Sequence, residues 1–108
     1  MSQILQITFC NANGRSEAAQ KAAWERAHQI AAWPGLVWKV WIAQPQTAVY
    51  GGLYLFIDEA SAQAYLQGPV VASMRSLPGM TDFSTQLFDV NEPLSAVTRG
   101  PIDLSAAS

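Results

Sequence analysis

Lys39 and Tyr54 are the residues of this sequence whose types and spacing best suit chemistry. An ammonium held among aromatic rings can stabilise a phenolate, and it can act as a base once desolvation lowers its pKa. A tyrosine hydroxyl facing it can orient a substrate oxygen. The two meet if VYGGLYLFID folds back on LVWKVWIAQ through Pro45 to Ala48, a hairpin of two β-branched and aromatic runs. With Gln44 facing Val49, the register sets Trp41 opposite Gly52, Lys39 opposite Tyr54 and Val37 opposite Phe56, all on one sheet face. Ile42 with Gly51, Val40 with Leu53 and Trp38 with Leu55 share the other. Each of these residues also has a plain structural role. Lys39 can be an edge-strand lysine that discourages aggregation, and Tyr54 a packed ring with its polar tip satisfied. Trp41 can be a core tryptophan beside a glycine that marks a bulge, and Trp38 and Phe56 are most simply core.

Other reactive groups offer less. His28 falls at the edge of a helical apolar stripe, where a haem ligand or base competes with a partly exposed surface histidine. Cys10 has neither a CxxC spacing nor a histidine neighbour in sequence and reads as a buried, inert thiol. Asp58 reads as a helix cap, and Asp89 with Asn91 as fixing the bend into Glu92-Pro93. Gly51-Gly52 lies inside a strand and lacks the Gly-Lys-Ser/Thr of a phosphate loop. One cysteine and one histidine exclude an intrachain disulfide and are too few soft ligands for zinc or an iron-sulfur cluster.

The elements that must position these groups follow from periodicity. Gln3 to Cys10 alternates as a strand, with Leu5, Ile7 and Phe9 on one side and Ile4, Gln6, Thr8 and Cys10 on the other. After the turn NANGR, Ser16 caps a helix running to about Ala32, whose alanines let its axis approach a sheet closely. The hairpin follows. Asp58 then caps a helix from Glu59 to Gln67, Gly68-Pro69 interrupts, and Val70 to Leu77 continues as helix. Phe83 to Asn91 is a last strand. The order β-α-β-β-α-β predicts an α+β, ferredoxin-like protomer with a four-stranded antiparallel sheet. Residues 1–93 form the domain, and 94–108 read as an extension or frayed tail.

The 108 residues are half apolar and 13% charged, with a formal charge of −2. That balance gives no footprint for nucleic acid. No apolar run is long enough to cross a membrane, and the N-terminus lacks signal-peptide features, so a cytoplasmic protein is expected. Two helices cover one side of a four-stranded sheet. The face carrying Trp41, Phe56 and Val37 is then expected to pack against a second copy, sheet on sheet, in a homodimer. Gln6, Thr8, Lys39 and Tyr54 would sit among aromatics there, the makeup of a small-molecule pocket.

The segments PGLVWKVW at Pro34 to Trp41, GGLYLFIDEASAQAYL at Gly51 to Leu66 and FDVNEPLS at Phe88 to Ser95 resemble the YdhR-type monooxygenases of the dimeric α+β barrel superfamily. Gly68 to Phe83 diverges from that pattern. The resemblance implies a ferredoxin-like protomer, a sheet-to-sheet dimer and oxygenation of small electron-rich aromatic compounds by molecular oxygen, with no metal, flavin or other cofactor. It places Trp38, Lys39, Trp41, Tyr54, Phe56, Asp89 and Asn91 in matched blocks but assigns no catalytic residue. Joined to the residue reading, the expectation is Lys39 and Tyr54 as catalytic, with Gln6, Thr8, Trp41, Phe56 and Phe88 binding a phenol or quinol-like substrate. A protein of the same fold that binds an aromatic ligand without turnover is the alternative. Haem degradation is weaker, because Glu59 to Leu77 contains no histidine.

Overall fold

Three caps and one glycine set where the helices begin and end. Ser16 Oγ accepts from the Ala19 amide (3.1 Å), starting α1 (Glu17–Ala31). Asp58 accepts from the Ser61 amide (2.8 Å), starting α2 (Glu59–Leu66), and Asn91 accepts from the Leu94 amide (3.1 Å), starting α4 (Glu92–Val97). Each satisfies an amide that the first helical turn leaves free. α3 (Pro69–Arg75) starts on proline, which has no amide hydrogen to lose there. Gly35, at φ +83°, makes the turn out of α1 that a side chain would oppose.

This computed structural model describes residues 1–106. Strands β1 (Gln3–Asn11), β2 (Leu36–Gln44), β3 (Val49–Phe56) and β4 (Met80–Asp89) form one antiparallel sheet in the order β2-β3-β1-β4. With the helices it is the ferredoxin-like α+β fold that the order of elements predicts. The hairpin register is as expected from Gln44↔Val49 through Trp41↔Gly52 and Lys39↔Tyr54 to Trp38↔Leu55. It then slips: a bulge between Leu36 and Trp38 puts Leu36, not Val37, opposite Phe56. The last strand begins three residues earlier than periodicity suggests, at Met80.

The two sheet faces are the reverse of the expectation. Pairing with β1 decides this, because Leu5 stands opposite Tyr54, Gln3 opposite Phe56 and Ile7 opposite Gly52. Lys39, Trp41, Tyr54 and Phe56 therefore share the face of Leu5 and Ile7, and that face lies under the helices. Tyr65 and Ala62 of α2, with Val70, Val71 and Met74 of α3, complete the core. The rings of Tyr54, Phe56 and Tyr65 form its centre, with centroids 5.0 to 6.1 Å apart. The outer face carries Trp38, Val40, Ile42 and Leu53 from the hairpin, Ile4, Gln6, Thr8 and Cys10 from β1, and Phe88 from β4.

Beyond residue 93 the chain continues through α4. After α4 it turns back onto β2, where the Trp38 indole donates to the Pro101 carbonyl (2.7 Å) and residues 104–106 lie against the strand. The expectation for 107–108 lies outside the described residues.

Candidate active site

α1 stands off the sheet. Ile30 is its one buried residue among the described ones, and the alanines expected to bring the axis close instead border a cavity of about 460 Å³ between α1 and the helix-side face of the sheet. Small side chains on the helix leave this space. Ala19, Ala23 and Arg26 of α1 face Lys39, Trp41 and Tyr54 across it. Phe9 and Tyr50 extend the aromatic wall, their rings 6.5 Å apart.

The hairpin determines the position of Lys39. Its ammonium lies 3.4 Å from the centre of the Trp41 ring and 4.6 Å from that of Tyr54. Both rings offer their negative faces to the charge. Gly52 opens the path, since a Cβ there would collide with Lys39 Cε. The lysine stem thus occupies the space above the glycine that a flat Trp41 wall was expected to use. Burial, and secondarily the charge of Arg26, bring the Lys39 pKa down to about 7. Near neutral pH this amine exists both as acceptor and as donor of a proton.

Tyr54 is buried, and Tyr65 of α2 donates to its hydroxyl oxygen at 3.2 Å. Burial first, and the Tyr65 hydroxyl second, push the Tyr54 phenol far up, so it keeps its proton as a hydrogen-bond donor. Burial raises Tyr65 as well. One neutral donor and one amine of tunable charge are thus opposite each other on adjacent strands. Such a pair can take a proton from a phenol and hold the resulting oxyanion.

Of the expected substrate-binding residues, only Trp41 borders this cavity. Phe56 is fully buried and supports Tyr54 from behind, nearly parallel to it at 6.1 Å. Gln6, Thr8 and Phe88 project from the outer face, because the period-two alternation of β1 and its pairing with β4 put them opposite Leu5 and Tyr54. His28 is exposed on α1 and is not part of the cavity wall. Cys10 also sits on the outer face, half-buried rather than fully buried, where desolvation and then the Asp82 carboxylate push its thiol up. Asp58 and Asn91 cap helices, and Asp89 accepts from the Gln3 side chain. Among the described residues no three His, Cys, Asp or Glu side chains cluster as a metal site would require.

Sequence reasoning missed Arg26 and Arg15, both of which border the cavity. For Arg26 a signal was present. It follows Ala23 by three residues and precedes Ile30 by four, so helical spacing puts one charged residue on the apolar stripe. Arg15 lies in the turn before α1, and no periodicity applies there.

The fold agrees with what the chain is similar to. The family model described as "Putative mono-oxygenase ydhR" matches residues 4–101. The chain belongs to that family. No curated protein matches it. Among solved structures, it is similar to a putative antibiotic biosynthesis monooxygenase from Deinococcus radiodurans, at 11% identity and TM-score 0.66, over 82% of this chain and 92% of that one. SnoaB, a cofactor-independent oxygenase from Streptomyces nogalater, matches in a mutant form at 17% identity and TM-score 0.62, over 83% and 93%. The haem degrader MhuD from Mycobacterium tuberculosis matches at 20% identity and TM-score 0.59, over 82% and 95%. These likenesses establish a shared fold. No helix among the described residues is long and apolar enough to cross a membrane.

Proposed function

We propose that the protein is a cofactor-independent monooxygenase for small electron-rich aromatic compounds of the phenol or quinol type, with its site in the cavity under α1. The observation that carries this reading is the opposition of Lys39 and Tyr54 across the hairpin, inside an aromatic cavity. The neutral amine of Lys39 takes the phenolic proton, and its ammonium with the Tyr54 hydroxyl then holds the phenolate. A charge-assisted contact of this kind is worth about 1.5 to 3 kcal/mol. The electron-rich ring reacts with molecular oxygen at the para carbon. One oxygen atom becomes the new carbonyl, and the other leaves as water with the ring hydrogen and the phenolic hydrogen. Phenol and oxygen thereby give p-quinone and water, with all four electrons coming from the ring. The aromatic wall and α1 restrict water around the oxyanion.

Membership of a mono-oxygenase family and the fold shared with a cofactor-independent oxygenase support this reading over a binder that does not turn its ligand over. Oxygen uptake with a panel of phenols and hydroquinones tests it. Uptake matched by quinone formation is expected, whereas saturable tryptophan quenching without uptake would leave a binding protein. The shared fold with MhuD calls for one control: no Soret shift is expected on adding haem.

The same proposal includes a homodimer. Val40, Ile42 and Phe88 are exposed on the outer sheet face, at 51%, 37% and 42%, and a second copy packed on that face would cover them. Sedimentation at micromolar concentration should give twice the chain mass. A mass of one chain would remove the dimer and leave the cavity assignment standing.

A further inference from the structure

The charge of the cavity differs from that of the chain. The protein carries eight Asp and Glu against six Lys and Arg, yet the cavity is bordered by Arg15, Arg26 and Lys39 and by no carboxylate. Half of the chain's Lys and Arg residues converge on one apolar space. Lys39 has the faces of Trp41 and Tyr54 to offset its desolvation, and it can lose its proton. Arg26 brings a planar guanidinium, all donors and no acceptor. Its Nε is buried and has no hydrogen-bond partner. A buried donor left unpaired is costly, and although Asn11, Gln20 and Tyr54 also border the cavity, none of them is bonded to this nitrogen.

We infer that the ligand of this cavity is an aromatic compound bearing a fixed anionic group, a carboxylate or a phosphate, which Arg26 binds from α1 while the ring lies along Trp41 and Tyr50. Arg15, exposed beside the same cavity, draws the anion in and completes its neutralisation. A cavity of about 460 Å³ lies in the range of small-molecule sites and suits a compound of one to three fused rings. The division of labour is chemical. Arg26 reads a charge that does not change during reaction, and Lys39 and Tyr54 attend to the oxygen that does. This inference rests on the aromatic-ligand reading above and adds the substrate's charge to it.

The test is calorimetric titration of the full chain, under nitrogen, with three matched probes: 2-naphthoate, 2-naphthyl phosphate and neutral 2-naphthamide. Working without oxygen makes binding independent of turnover, so failure of the oxygenase reading and failure of this inference are separate results. At least one anion should bind about tenfold or more tightly than the amide, as expected for a hydrogen-bonded charge. Whichever anion binds more tightly identifies the group. Arg26→Met should bring that preference down to about twofold while the amide's affinity holds. Arg26→Lys, which keeps the charge but loses the planar fork, should fall between. Equal binding of the amide and both anions by the unaltered protein would overturn the inference without recourse to any variant. An anion preference that persists undiminished in folded Arg26→Met would overturn it too.

Discussion

The two faces of the hairpin are built from alternate residues of the same strands and do opposite things. Toward α1, Lys39, Trp41, Tyr50 and Tyr54 put charge, hydroxyls and rings into a cavity. Away from it, Val40, Ile42 and Leu53 present an aliphatic surface, with Gln6 and Thr8 beside it on β1. A two-residue period lets a nine-residue strand line a cavity and present an aliphatic surface at once. Lys39 and Tyr54 lie on the side where a helix stands off the sheet, and exposed aliphatic residues lie on the other.

Exchanging the character of the two faces should have the largest effect. Phe56→Glu puts a carboxylate into a fully buried ring position beside Tyr54 and Tyr65, at a cost above about 4 kcal/mol. Circular dichroism should find it unfolded or aggregated. Val40→Glu, on the outer face, should keep its melting temperature to within a few degrees as a monomer, and in sedimentation it should shift a dimer toward one chain mass. If Phe56→Glu melts like the unaltered protein, the face assignment is wrong.

A smaller change aims at the cavity alone. Gly52→Val fills the space through which the Lys39 stem passes, and the flexible end of the lysine must move. The fold should persist, and oxygen uptake should drop by about tenfold, in line with misplacing one charged contact.

These contrasts also mark what could be read from sequence. The order of elements, the hairpin register from Gln44↔Val49 to Trp38↔Leu55 and the cap at Asp58 are local, and turn chemistry and alternation define them. Which hairpin face meets the helices is not local. It depends on β1 choosing β3 with Leu5 opposite Tyr54, and on Tyr65, eleven residues beyond Tyr54 in sequence, supplying the hydroxyl that lets a tyrosine be buried. Aliphatic residues look like the better match for an alanine-rich helix, but Ala19 and Ala23 of α1 border a cavity instead. The bulge at Leu36–Trp38 likewise had no sequence signal and cost Val37 its expected partner. The pairing of Lys39 with Tyr54 survived the reversal because both residues moved to the other face together. Gln6, Thr8 and Phe88 did not, since their link to the hairpin was a guess about non-local pairing.

The pH dependence of stability sharpens the contrast between a half-buried amine and an exposed surface. Lys39 titrates near 7 in the folded chain and near 10.4 unfolded. Between those values the unfolded chain binds the extra proton, so stability rises with pH across that window and the penalty is fully present below it. Lys39→Met lacks this term. Urea melts from pH 6 to 10 should show the unaltered protein gaining on the variant as pH rises, and parallel curves would mean a solvated lysine. The smallest effects are expected from Gln6→Ala and Phe88→Ala, which should change affinity for an aromatic ligand in calorimetry by less than about twofold, because neither residue borders the cavity.

Oxygen uptake across pH, with a phenol that the unaltered protein oxidises, compared with Lys39→Met, tests the central claim most directly. The methionine keeps the stem's packing and removes the amine. The account predicts a folded variant whose rate is lower by about ten- to a hundredfold, and an unaltered protein whose rate rises through a pH near 7 as Lys39 loses its proton. Equal rates in the two proteins, with the same pH profile, would contradict it and return Lys39 to a structural role.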